Sequence, residues 1–199
     1  MNTIQTTEVF DKWFDELRDR TAKARIQARI DRAEDGNFGD CSPVGEGVSE
    51  MRIHVGAGYR VYYKQVGMEI FLLLAGGDKS AQQRDIETAL ELARKIKEYP
   101  MDKIKLRRWD SAEHLKTNED IALYLEACLE EAGDDAAFIA KALGNIARAR
   151  GMTQLAHDTG LGRESLYKAL SGDGNPSFST ILKVIKALGL KLHVETPGH

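Results

Sequence analysis

The sequence predicts an α+β chain in two halves: helices packed on an antiparallel sheet over residues 1–100, then a mostly α-helical domain over residues 101–199. Three observations predict it. The apolar period changes from helical spacing to alternation near Val48 and back to helical spacing after Ser80. From Gly133 onward the pattern is helical nearly throughout. Between the halves, Tyr99-Pro100-Met101-Asp102 ends one helix and opens a segment of different charge, in the manner of a second protein's start.

The elements follow in order. After a short extended start at Asn2–Gln5, the helical recurrence of Val9, Phe10, Trp13, Phe14 and Leu17 predicts a helix near residues 7–18. Ala22, Ile26, Ile30 and Ala33 stripe a second helix whose other side carries Arg18, Arg25, Arg29 and Arg32. GNFGDCSPVGEG reads as loop. Val48, Met51, Ile53 and Val55 mark a strand, and Tyr59, Val61 and Tyr63 alternate with Arg60, Tyr62 and Lys64 in a second. Residues 69–75, apolar on both faces, suit the middle of a sheet covered on both sides. After Gly76-Gly77-Asp78-Lys79, Ser80 and Gln83 stand at capping-box spacing before a helix striped by Ile86, Ala89, Leu90, Ala93 and Ile96. Leu106 and Trp109 alternate with Lys105 and Arg107 as a short strand, and Thr117 with Asp120 begins the helix of Ile121, Leu125, Cys128 and Leu129.

Composition alone is ordinary: 199 residues, 42% hydrophobic, net charge −3. That average hides an acidic residue 101–140 segment (5 basic, 10 acidic) beside a basic residue 141–199 segment (8 basic, 4 acidic). With no apolar run near the roughly 20 residues of a membrane span, and no leader pattern, a cytoplasmic protein without membrane contact is expected. Cys41 and Cys128, far apart and without ligand spacing, predict inert thiols, with no metal and no cofactor.

Residues 152–170, MTQLAHDTGLGRESLYKAL, carry the most specific pattern. Thr153 suits a helix cap, Ala156 a close helix crossing and Gly160 a left-handed turn, while Leu155, Leu161, Leu166 and Ala169 pack two helices together. An αα corner with a solvated face fits the same spacing. The pattern resembles the helix-turn-helix of the Cro and phage-repressor family, with Thr159 and Gly162 departing from its usual residues. Arg163, Ser165, Tyr167 and Lys168 would then meet bases or phosphates, and Thr153 and Gln154 phosphate. Phe178, Ile181, Leu182, Ile185 and Leu188 continue into a last helix capped by Ser177, and Leu190, Leu192 and Val194 suit a terminal strand able to pair two protomers. A dimer is expected because one helix-turn-helix reads one half-site.

In the first half, Arg52, His54, Arg60, Tyr62 and Lys64 fall on polar strand faces, with Lys79 at a helix start. Cations, a stacking ring and helix N–H groups suit an RNA backbone, and metal-free cleavage at a 2′-hydroxyl needs such groups. A plain solvent-exposed strand face fits the same residues. For Arg25 and Arg29 a solvated helix face stands beside contact with structured RNA.

GVSEMRIHVGAGYRVYY and EIFLLLAGGDKSAQQRDIETALELA, across nearly all of residues 1–98, resemble RelE/HigB-type toxins, the addiction module killer proteins. Residues 101–196 resemble their HigA-like antidote partners. The resemblance implies a ribosome-dependent mRNA endoribonuclease and an antitoxin that inhibits it and represses their shared operon. It places Arg52 and Arg60 on the scissile phosphate, Lys79 as a further cation, and Tyr62 and Gln82 beside them.

The expectation is therefore a toxin–antitoxin module in one chain, divided at residue 100/101, metal-independent and inhibited in cis. Its partners would be mRNA on the ribosome, operator DNA, and the toxin–antitoxin contact within or between chains, with acidic residues 102–132 covering the toxin's cationic face. The alternative is a DNA-binding transcriptional regulator whose toxin-like domain is catalytically inactive.

Overall fold

The computed structural model describes residues 2–98, 105–132 and 134–193. It forms two compact units, one through Ser111 and the other from Ala112. Among the described residues no helix is long and apolar enough to cross a membrane.

The first unit begins with β1 (Thr3–Thr7) and α1 (Glu8–Glu16). Thr7 joins them: its Oγ1 accepts the Phe10 N–H at 3.2 Å and donates to the Leu74 carbonyl at 2.7 Å. Asp19 caps α2 (Arg20–Glu34) through the Ala22 N–H at 2.9 Å. Then come β2 (Cys41–Gly45), β3 (Val48–Ile53), β4 (Tyr59–Val66), β5 (Ile70–Asp78), a 3-10 turn at Lys79–Ala81, α3 (Gln82–Glu98) and β6 (Leu106–Arg108).

The strands form one sheet in the order β2-β3-β4-β5-β1-β6. Every pairing is antiparallel except β1 with β5, which is parallel, so the expected antiparallel sheet is in fact mixed. The cause is the long excursion through two helices, which returns the chain beside β1 running the same way. One face packs Met51, Ile53, Val61, Tyr63 and Leu73 against Phe10 and Phe14 of α1 and Ile26 and Ile30 of α2. The other packs Val48, Tyr62, Leu72 and Leu74 against Ala89, Ala93 and Ile96 of α3. β5 is covered on both faces, as its unbroken apolar run requires.

Three local expectations change. Residues 41–45, expected as loop, are an edge strand, the position where Pro43 costs no ladder hydrogen bond. The Ser80/Gln83 box gives way to Asp78, whose Oδ1 accepts the Ser80 N–H at 2.8 Å from two residues upstream. Gly76 and Gly77, beyond the expected strand of residues 69–75, extend β5, and each leaves room for a neighbour: the Trp13 ring lies where a Cβ on Gly76 would be, and the Asp85 carboxylate where one on Gly77 would be. Gly76→Ala is therefore expected to cost about 1–3 kcal/mol, since the indole is held beside Phe10 at 5.7 Å and cannot move without disturbing the core. Urea unfolding of the first unit measures it.

The second unit is helical. Thr117 and Asp120 open α4 (Asn118–Ala132) with a reciprocal box: Thr117 Oγ1 accepts the Asp120 N–H at 3.1 Å and Asp120 Oδ2 the Thr117 N–H at 2.9 Å. α5 (Ala136–Arg150) follows, capped by Asp135, and its buried Asn145 donates to the Tyr124 hydroxyl at 2.9 Å. α6 (Met152–Thr159), α7 (Arg163–Ala169) and α8 (Phe178–Ala187) complete it. Gly144 of α5 lets the Leu170 carbonyl approach where a side chain would block it.

On α8 the buried stripe is Val184, Ile185 and Leu188, while Phe178 and Leu182, expected inside, are exposed. The expected terminal strand is not seen over residues 190–193, and the rest of it lies outside the described residues. Cys128 is buried, but Cys41 on the edge strand is exposed.

Candidate functional site: an arginine cleft and a helix-turn-helix

Alternation along antiparallel strands decides which side chains of the first unit meet. Glu50 pairs with Tyr62 and Arg52 with Arg60 in the β3–β4 register, so all four stand on the α3 face of the sheet. Glu50 is only 2% exposed. The Arg52 guanidinium grips it from Nη2 at 2.8 Å and Nε at 2.9 Å. Gln82, at the start of α3, donates to its second oxygen at 3.3 Å. Arg60 Nε stands 3.3 Å from that oxygen with its N–H aimed away, an electrostatic contact that leaves a buried donor without an acceptor. A buried carboxylate thus holds two guanidiniums and an amide in one place, a geometry worth more for position than for net stability.

Beside this cluster an open cleft of about 400 Å³ is lined by Arg52, His54, Tyr59, Arg60, Lys79 and the loop Val55–Gly58. Gly56 and Gly58 turn that loop with φ of 52° and 75°. The Lys79 N–H ties it to α3 by donating to the Gly58 carbonyl at 2.9 Å. His54 projects at the lip, with Nε2 2.7 Å from Asp40 Oδ2. That hydrogen bond, with Arg52 close by, holds the Asp40 carboxyl below the usual carboxylate range, and the Glu50 pairing raises Arg52.

Of the sequence candidates, Arg52, Arg60 and Gln82 thus converge on Glu50, and His54 and Lys79 line the same cleft. Tyr62 does not present a ring for stacking. It is fully buried under α3, and burial, followed by Glu50 and Asp85, pushes its hydroxyl up to about 12. Lys64 lies near the other end of β4, donating to the Glu46 carbonyl at 3.3 Å. Arg25 and Arg29 sit half-buried on α2, the helix of the opposite face, rather than on a solvated stripe. The Arg29 guanidinium occupies the space a Gly39 side chain would take and is near enough to Asp40 to help lower its pKa.

Glu50 and Asp40 are the members the sequence reading missed. Glu50 was legible: an acid two residues before Arg52 in an alternating strand shares its face. Asp40 precedes β2 in an irregular stretch with no period to place it.

The antidote-like segment does not cover the cleft as expected, over the residues that belong to this unit. Residues 105–111 pack at the opposite edge, where β6 pairs with β1 through Gln5–Arg108, Thr6–Arg107 and Thr7–Leu106. β6 is three strands from β4 in the sheet, roughly 14 Å at the usual spacing.

In the second unit α6 and α7 are joined by a turn in which Gly160 takes φ 68°, over the residues read as a helix-turn-helix. Met152, Leu155 and Leu166 are buried, and Arg163, Ser165, Tyr167 and Lys168 are exposed along α7. Arg163 lies over the Tyr167 ring at 5.6 Å. Thr153 is exposed but caps nothing, because α6 begins one residue earlier with Gly151 at its N-cap. Gln154 is also exposed and donates to Asp158 at 2.7 Å. Thr159, where an aliphatic residue is usual, returns its hydroxyl to the Leu155 carbonyl at 2.8 Å.

Comparison with known proteins bears on the second half directly. Residues 105–196 match the model of a family described as probable addiction module antidote protein. An uncharacterised protein of Haemophilus influenzae is 54% identical over 91 residues, 46% of this chain and 92% of the relative. Another from the same organism is 48% identical over 93 residues, 47% of this chain and 94% of the relative. No solved structure matches the chain significantly. Over residues 105–196, then, the chain carries a probable addiction module antidote domain.

Proposed function

We propose that the chain is a toxin–antitoxin module in a single polypeptide: the first unit a metal-independent endoribonuclease cutting mRNA on the ribosome, the second an antidote that neutralises it and represses its operator. The observation that carries the enzymatic part is the convergence of Arg52, Arg60 and Gln82 on buried Glu50 beside an open cleft that also holds Lys79. An antidote-family half on the same chain supports a toxin as its counterpart.

In the chemistry this arrangement suits, the RNA 2′-oxygen attacks the phosphorus, the bond to the 5′-oxygen breaks, and the 2′-proton leaves as the 5′-oxygen gains one. The products are a 2′,3′-cyclic phosphate and a 5′-hydroxyl. Arg52 and Arg60, which line the cleft, would hold the nonbridging oxygens, where charge grows in the transition state. Lys79 at the cleft wall would protonate the leaving oxygen. His54, oriented by Asp40, would accept the 2′-proton. Tyr62 drops out of proton transfer, being enclosed and protonated at neutral pH. Inducible expression of residues 1–111, the whole compact unit, tests the reading through growth and transcript ends. Arrest with new 5′-hydroxyl ends is expected; a folded, innocuous product overturns it.

For the second unit, exposed Arg163, Ser165, Tyr167 and Lys168 on α7 support entry of that helix into the major groove, with Thr153 and Gln154 near phosphate and a dimer reading two half-sites. Arg163→Ala with Lys168→Ala should weaken operator binding and flatten its salt dependence by about one unit of slope for each phosphate no longer neutralised. Titrations at several salt concentrations check it, and an unchanged slope removes these residues from the interface.

A regulator with an inactive toxin-like unit is the second reading. It is favoured by one observation: Glu50 already engages both guanidiniums.

A further inference from the structure

We infer that residues 105–111 are a transferable docking strand, and that the groove of β1, α1 and α2 which holds them is a binding site for the same segment of a separate antidote-family chain. Two boundaries carry this. The antidote family match starts at residue 105, whereas the first compact unit continues through Ser111. Seven residues therefore belong to the antidote by sequence and to the other unit by packing.

The attachment has the anatomy of peptide recognition by strand addition. β6 lengthens the sheet at its β1 edge, and beyond it the Trp109 N–H donates to the Ile4 carbonyl at 3.0 Å. Trp109 is the anchor: 5% exposed, edge-on to Phe14 at 5.2 Å and to Phe10 at 6.1 Å. Its Nε1 donates toward Asp31 at 3.1 Å and the Ser111 hydroxyl at 3.0 Å, and that hydroxyl donates to Asp31 at 2.6 Å. Gln27 closes the far end by donating to the Ser111 carbonyl at 2.8 Å, and Lys105 pairs with Glu8 at the near end.

The groups that receive the strand all lie between Ile4 and Asp31, in β1, α1 and α2. Asp31 is a buried carboxylate at the floor that accepts from the Trp109 Nε1 and the Ser111 hydroxyl, so a strand lacking those two side chains withdraws both donors, whereas Gln27 meets a backbone carbonyl that any residue offers. The site is thereby selective for a basic strand followed by Trp-x-Ser. Two relatives, each contained almost whole in the chain yet matching less than half of it, show that half-length portions occur as separate polypeptides. Contacts made here within one chain would there be made between two. Chemistry at the arginine cleft plays no part in this docking, so either can fail alone.

The test uses the full chain with a specific protease site placed between residues 98 and 105, cut after purification. A labelled peptide of residues 105–112 is titrated by anisotropy against the cut chain carrying Trp109→Ala in its own segment. If that variant does not fold by circular dichroism, excess peptide is titrated against the native cut chain. Saturable binding is expected, at least about 30-fold weaker for a W109A peptide and about tenfold weaker for S111A. Absence of peptide binding, or binding indifferent to both substitutions, overturns the inference.

Discussion

In residues 1–111 expressed alone, Arg52→Ala and Arg60→Ala should each lower transcript cleavage by about a hundredfold or more, and growth should recover. Removing one preorganised donor from a site of developing oxyanion charge has effects of that size. The double variant is a poorer test than it first looks. Glu50 is 2% exposed, and stripping both guanidiniums leaves a buried carboxylate with only Gln82. An uncompensated buried charge costs about 3–5 kcal/mol, enough to unfold the unit and mimic inactivation. Lys79→Ala supplies the control, since this exposed residue lines the same cleft without forming part of the Glu50 cluster. It should slow cleavage while leaving the unfolding midpoint unchanged. Full activity in folded R52A and R60A proteins would remove these arginines from the chemistry.

Trp109→Ala should be the most destabilising single substitution in the first unit, at about 3–5 kcal/mol. The change removes a ring packed edge-on against Phe10 and Phe14 and withdraws a donor from buried Asp31. Against the roughly 5–15 kcal/mol that holds a typical domain together, such a loss leaves little margin. Trp109→Phe separates most of the packing from the hydrogen bonding: it keeps one aromatic ring and loses the N–H with the rest of the indole, so a cost of about 1–3 kcal/mol, smaller than that of Trp109→Ala, is expected. Denaturant unfolding checks both, read on the transition of the first unit, because two units need not unfold together. A W109A cost below about 1 kcal/mol would mean that Trp109 is not the anchor of the segment.

What could be read without the fold was what is written in short range. Alternation in GVSEMRI and GYRVYYK placed Arg52, Arg60 and Tyr62 on polar strand faces, and the structure adds the register that brings Glu50 among them. Thr117 with Asp120, and Ser177, announced helix starts and form them, Thr117 Oγ1 accepting the Asp120 N–H and Ser177 Oγ the Thr180 N–H. Where two local signals competed, spacing alone could not choose. Asp78 displaced Ser80 as the cap, and Gly76-Gly77, left outside the 69–75 strand, serve as thin strand positions beneath Trp13 and Asp85.

By itself, then, the sequence determined the α+β class, the arginine-bearing strands and the helices of the second unit. These depend on period, caps and turn residues, all set by neighbours within a few positions. Only the tertiary structure decided that β1 runs parallel to β5, that Tyr62 is enclosed while Arg52 lines a cleft, and that Glu50 gathers the cluster. It also decided that residues 105–111 complete the first unit: Trp109 meets Asp31 across 78 positions, and Thr6 meets Arg107 across 101. Which edge a strand joins and which pocket a ring fills depend on surfaces that exist only after distant segments have packed, and neither segment's own pattern carries that information.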